Sequence, residues 1–162
     1  MKVLKFGGSS VGTAKSIESV RNIVEAAPRP VIVIVSALGG VTDRLIAMSR
    51  QAAGGDGGWQ AEADALALRH ERLIAEVIAP ERQEELLRQV DGLMDELRSI
   101  LHGVYLIQDL TRKTADAIVA YGERLSSLIC AALLPDARHY DSRRFIKTVD
   151  PVSYTHLTLP TT

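Results

Sequence analysis

The sequence predicts an α/β fold built on a mainly parallel sheet, and three observations predict it. A strand, a glycine-rich turn and a helix follow one another twice between Val3 and Ala52, the pattern of right-handed crossovers. The second strand, VIVIVSA at 31–37, is continuous and β-branched, as expected of a strand buried on both faces of a parallel sheet. Beyond it, apolar residues recur at helical spacing over most of the remaining chain.

The elements follow in order. Val3 to Phe6 read as a short strand that runs into the turn GGSSVG. In TAKSIESVRNIVEAA, Ile17, Val20, Ile23 and Val24 fall on one helical face, with Glu18, Arg21 and Glu25 on the other. Pro28 and Pro30 stop this helix. After VIVIVSA a second turn, ALGG, leads to a helix carrying Leu45, Met48, Ser49 and Ala52 on one side. GGDGG at 54–58 marks a change of character. From Trp59 to about Leu101 the chain is rich in Ala, Leu, Glu and Arg, with Pro80 dividing two helices, and a helical insert is expected at about 59–103. Its residues Leu86, Val90, Leu93, Leu97 and Ile100 are spaced by threes and fours, a packing seam for this chain or for a partner. One helix is expected from about Thr111 to Leu134, and ARHYDSRRFIKT at 137–148 reads as a further strand and its exit loop.

The last segment, PVSYTHLTLPTT, has no period and little charge. It resembles read-through from a cloning or sequencing adaptor, so 151–162 are expected to be a non-native or disordered tail and 1–150 the structural unit. The 162 residues suffice for one domain with a core. A net charge of −1 supplies no field to gather nucleic acid or anionic lipid, and no apolar run reaches membrane-spanning length. The one cysteine, Cys130, lies in the apolar run LICAALL; it reads as a packing residue and fits a reducing cytoplasm. His70, His102 and His139 are far apart and lack ligand spacing, so no metal site is expected on them.

Three segments carry the candidate chemistry. In KFGGSS, Gly7 and Gly8 let a backbone approach an anion closely at the start of a helix, where free N–H groups and the helix dipole favour negative charge. Ser9 and Ser10 add hydroxyls, and Lys5 can place its ammonium over the same anion. The lysine precedes the glycines, unlike that of an ordinary phosphate-binding loop, and a tight turn with an incidental lysine is the alternative. In VSALGGVTD, Ser36 stands at a strand end and Thr42 at a helix start, where they could hold a small polar substrate or act as a strand-end cap and a helix N-cap. In YGERLSS, Glu123 falls off the apolar side marked by Tyr121 and Leu125, and Gly122 beside it leaves room for a ligand or another backbone. An idle surface glutamate is the alternative there.

Together KFGGSSV at 5–11, VSALGGVTDRL at 35–45 and YGERLSS at 121–127 resemble the N-terminal part of aspartokinases, members of the amino-acid kinase family. The resemblance implies an amino-acid-kinase-like three-layer αβα fold, incomplete in these residues. It also implies transfer of the γ-phosphoryl of ATP, with Mg²⁺, to the side-chain carboxylate of L-aspartate, the first step of lysine, threonine and methionine biosynthesis. By the same resemblance Lys5 stabilises the phosphoryl in transfer, and Gly7, Gly8 and Ser9 cradle phosphate. Ser36, Thr42 and Glu123 hold the amino acid, with Glu123 facing its α-ammonium. A homo-oligomer is implied for the full-length protein, and LHGVYLI at 101–107 resembles enzymes fused to homoserine dehydrogenase. Ser9 stands where the family more often has threonine, and Asp43 where it has asparagine. The family's Arg-Gly-Gly-Ser-Asp motif does not occur, so the expectation is an N-terminal fragment with little or no activity alone. Rival expectations are a kinase of glutamate, acetylglutamate or a nucleoside monophosphate, and a non-catalytic oligomerisation module.

Overall fold

The computed structural model describes residues 1–146. Strands β1 (Lys2–Phe6) and β2 (Val31–Val35) pair in parallel, from Lys2 opposite Val31 to Phe6 opposite Val35. Helix α1 (Ala14–Glu25) makes the crossover between them. It starts where the sequence can satisfy its first N–H groups: Thr13 and Ser16 form a reciprocal capping box. Ile17, Val20 and Val24 are buried, while Ile23, placed on the same face by its spacing, is 51% exposed.

Among the described residues the sheet is covered on one face only. Leu4, Phe6, Val31, Val33 and Val35 pack toward the core. On the other face Val3, Ile32 and Ile34 remain 54%, 46% and 47% exposed. The expectation of a second strand buried on both faces is therefore corrected. The β-branched run forms the strand, but among the described residues helices cover only one side, so burial alternates along it. A small parallel sheet with a helical layer is part of the expected three-layer fold.

Helices α2 (Val41–Ala53), α3 (Trp59–Val77) and α4 (Pro80–Ile107) form the bulk of that layer. Pro80 occupies the first turn of α4, where its missing N–H costs nothing. Leu86, Val90, Met94, Leu97, Leu101 and Val104 bury their side chains, and α4 packs on α2, α3 and α6 (Tyr121–Leu133). The apolar seam of α4 is thus used within the chain. Each fully buried large side chain contributes about 1.5–3 kcal/mol, against about 0–1 kcal/mol for an exposed ion pair such as Arg88–Glu85. Apolar contact holds this layer.

Two expectations about the later chain are corrected. The helix foreseen from Thr111 to Leu134 is two helices, α5 (Arg112–Val119) and α6, parted at Ala120. The first turn of α6 meets the end of β2, where Glu123 accepts from the Ala37 N–H. The strand foreseen at 137–148 is not formed in its described part, 137–146, which carries only a short 3-10 turn, Ser142–Arg144. The polar side chains there are engaged with α6 and with one another instead of lining a strand. His139 meets the Ser127 hydroxyl at 2.9 Å. Asp141 bonds to Arg143, whose guanidinium holds the carboxyl down at about 2. Residues expected to form the tail, 151–162, lie outside the described part.

Cys130 is 3% exposed, and burial pushes its thiol up to about 12. His70 is fully buried on α3. Its Nδ1–H donates to the Leu66 carbonyl at 2.8 Å, which leaves Nε2 as a buried acceptor without a partner. Burial lowers its pKa, outweighing the Leu66 bond. The unfolded chain takes up this proton below the ordinary 6.5 while the folded chain resists it, so stability falls as pH drops below that value. Urea midpoints should fall between about pH 7.5 and 5.5; the dependence should become shallower in His70→Leu, with a remainder from His139, whose pKa burial also lowers.

Candidate functional site

Three segments meet at the C-terminal ends of β1 and β2. Gly7 leaves β1 in extended conformation (φ −79°, ψ 173°), and Gly8–Ser10 form one 3-10 turn closed by Ser10 N–H donating to the Gly7 carbonyl at 2.9 Å. Gly8 is tightly enclosed: a Cβ there would lie 3.0 Å from the Ala37 carbonyl oxygen and 3.5 Å from Gly39 Cα. The two glycine turns are therefore in backbone contact. No atom lies within 4 Å of where a Cβ at Gly7 would stand, and Ser9 is exposed, so the outer side of the first turn is open.

Lys5 pairs with Ile34 across the ladder and is exposed on the sheet face that carries no helix. It makes no ion pair among the described residues. Its ammonium, the turn N–H groups and the Ser9 hydroxyl are all donors or positive. That set suits phosphate oxygens.

The second turn continues β2. Ser36 N–H donates to the Phe6 carbonyl at 3.0 Å, carrying the ladder one step past the strand. Gly40 adopts φ +79° and caps α2 without a side-chain bond. Thr42 is therefore not the N-cap that its position suggested. It is the second residue of α2 and half-buried. The Val41 N–H donates to the Leu38 carbonyl at 2.9 Å, and because no side chain caps α2 the N–H groups of Thr42 and Asp43 are available to another acceptor.

Helix α6 closes the site from the third side. Glu123 Oε1 accepts from the Ala37 N–H at 3.3 Å, and its side chain is otherwise exposed. The structure thus brings Glu123 to the second turn next to Ser36, while Lys5 stands on the far face of the sheet edge. Gly122 leaves room neither for a ligand nor for another backbone but for packed side chains: a Cβ there would meet the Ala37 Cβ at 2.7 Å and Leu45 Cδ1 at 3.4 Å.

Sequence reasoning missed two contributors. Ser126 is fully buried and donates its hydroxyl to the Ser36 carbonyl at 2.7 Å. Arg124 stacks 4.5 Å over the Tyr121 ring and pairs with Glu96 of α4 at 3.0 Å; Tyr121 Oη donates to the same carboxylate. Gly122 and Ser126, four residues apart, put two small residues on the buried side of α6. That spacing is the signal for a close helix approach.

With this geometry in hand, a family comparison matches residues 1–149 to the amino acid kinase family. The chain belongs to that family. It is 33% identical to aspartokinase 1 (chloroplastic) of Arabidopsis thaliana over 156 residues, covering 91% of this chain and 27% of the relative. It is 31% identical to the aspartokinase of Candida albicans, covering 94% of this chain and 29% of that one. Among solved structures it superposes on E. coli aspartokinase III in complex with aspartate and ADP with a TM-score of 0.83 at 21% identity, covering 98% of this chain and 35% of that one. At that identity the likeness is one of fold. This amino-acid kinase chain spans only about a third or less of these relatives.

The packing of α6 yields a test. Gly122→Ala should destabilise the chain by about 1–3 kcal/mol through overpacking against Ala37, read from urea midpoints. The same change at an exposed glycine of α4, Gly92→Ala, should cost nothing, because no atom lies within 4 Å of the Cβ position at Gly92.

Proposed function

We propose that residues 1–150 are the N-terminal part of an aspartokinase catalytic domain and hold the amino-acid substrate and the phosphoryl in transfer. The observation that carries this reading is the contact of α6 with the second turn, which sets Glu123 beside Ser36 at the ends of two parallel strands. Glu123 then offers its free carboxylate oxygen to the α-ammonium of L-aspartate. Ser36 and Thr42 offer hydroxyls to the same molecule. Lys5, the N–H groups of Gly7 and Gly8, and Ser9 surround the transferring group with positive charge. Both reactants are anions, so cationic and N–H donors must offset their repulsion while one carboxylate is kept apart for the ammonium. The lysine comes before the glycines because phosphate is approached from the strand side.

ATP supplies the phosphoryl group, and its Mg²⁺ is held mainly by phosphate oxygens. Among the described residues no group of three or more His, Cys, Asp or Glu is placed to bind a metal, and the first turn is a set of donors suited to phosphate. The similarity to curated aspartokinases supports aspartate over glutamate or acetylglutamate as acceptor. Leu86, Val90 and Leu97 of the α4 seam are buried within the chain, which weighs against an oligomerisation module. No helix of the described residues is long and apolar enough to cross a membrane.

A hydroxamate assay, run with aspartate and with glutamate on the full-length protein that carries these residues, tests the reading. Lys5→Met should lower kcat roughly a hundredfold or more with little change in KM for aspartate. Glu123→Gln should act chiefly by raising that KM. Turnover of glutamate in preference to aspartate would overturn the acceptor assignment. The 162 residues alone, without an Arg-Gly-Gly-Ser-Asp motif, should give no hydroxamate.

A further inference from the structure

A cavity of about 500 Å³ lies between the start of α1 and one face of α3. Leu38, Leu73 and Ala14 give it an apolar lining, and three arginines line it as well: Arg44 of α2, and Arg69 and Arg72 of α3. Arg69, Arg72 and Glu76 recur by threes and fours, so they share one side of their helix. Glu76 is the single carboxylate in the lining.

The charge there is unbalanced. Arg88, Arg98 and Arg124 elsewhere in the chain each pair with a carboxylate at 3.0 Å or less. Arg69 and Arg72 make no ion pair among the described residues, and Arg44 has only Glu62 at 3.9 Å, with both side chains more than 40% exposed. The field does not come from the end of α1, whose first turn is already served by the Thr13–Ser16 capping box. It comes from guanidinium groups, planar forks matched to carboxylate and phosphate oxygens. The volume falls within the usual range for small-molecule sites, which combine apolar walls with a few charged groups.

We propose that this cavity binds a small polyvalent oxyanion, phosphate or carboxylate, whose organic part rests on the apolar lining. The site is separate from the phosphate turn: Lys5, Gly7, Gly8 and Ser9 are not in its lining. It does include Gly12 and Thr13, which lead from the first turn into α1, and Leu38 of the second turn. An occupant therefore touches both glycine turns from behind.

Calorimetric titration of the 162-residue chain with pyrophosphate, and in a second arm with citrate, tests this at low ionic strength. Saturable binding that weakens with added sodium chloride is expected. Arg69→Gln/Arg72→Gln should weaken it by about tenfold or more, whereas Lys5→Ala should leave it within about twofold of the parent. Binding of both anions with mutual displacement assigns the site to oxyanions generally. Binding of one alone assigns it to that chemistry. Circular dichroism checks the fold, and the single variant Arg72→Gln, altered at an exposed side chain, serves if the double variant unfolds. Absence of saturable binding by either anion would overturn the proposal. So would a loss caused by Lys5→Ala and not by the arginine variants.

Discussion

The geometry at the strand ends depends on how closely α6 approaches the backbone around Ala37. Gly122 lets the two surfaces touch, Ser126 takes up the Ser36 carbonyl, and Glu123 takes up the Ala37 N–H. These contacts join segments 86 and 90 residues apart in the chain, so they are tertiary constraints and not local turn chemistry. Leaving a buried polar group unsatisfied costs about 1–3 kcal/mol, more than the exposed ion pairs contribute. The Arg124–Glu96–Tyr121 cluster therefore orients α6, while the small and buried residues of its inner side fix its distance.

From that approach the rest of the site follows. With the second turn held by α6, its Gly39 sits against Gly8 and Gly12 of the first, and the two strand ends become one polar edge. The helices behind this edge form a continuous apolar layer. The outer face of the sheet carries Lys5 among Val3, Ile32 and Ile34 without such cover from the described residues. The two halves of the proposed site thus differ in surroundings: Glu123 and Ser36 are set against packed helices, and Lys5 stands on open sheet.

Much of this was legible in the chain, and the misses have physical reasons. The three segments KFGGSS, VSALGGVTD and YGERLSS stood out because glycine and hydroxyl residues interrupt otherwise apolar periods. Their meeting could be expected from a parallel topology, which gathers turns at one end of the sheet. VIVIV declared a strand but not its cover, since β-branching reports backbone preference while burial is decided by what packs on each face. The break at Ala120 left no trace, because alanine is the best helix former and the break answers to the docking of α6. Thr42 met the N-cap rule, yet Gly40 reached the left-handed conformation first and took the position. The segment 137–148 had strand-like composition, but a strand needs a partner, and its described residues found polar contacts on α6 instead.

The burial of Cys130 gives the molecule a property unrelated to its chemistry. Its thiol lies on the inner side of α6 and ionises only near 12, so it is inert while that helix is docked. A water-soluble sulfhydryl reagent can reach the only cysteine in the chain only after α6 has lifted from its neighbours. The rate of that labelling is a built-in gauge of how often the helix that anchors the second turn comes away.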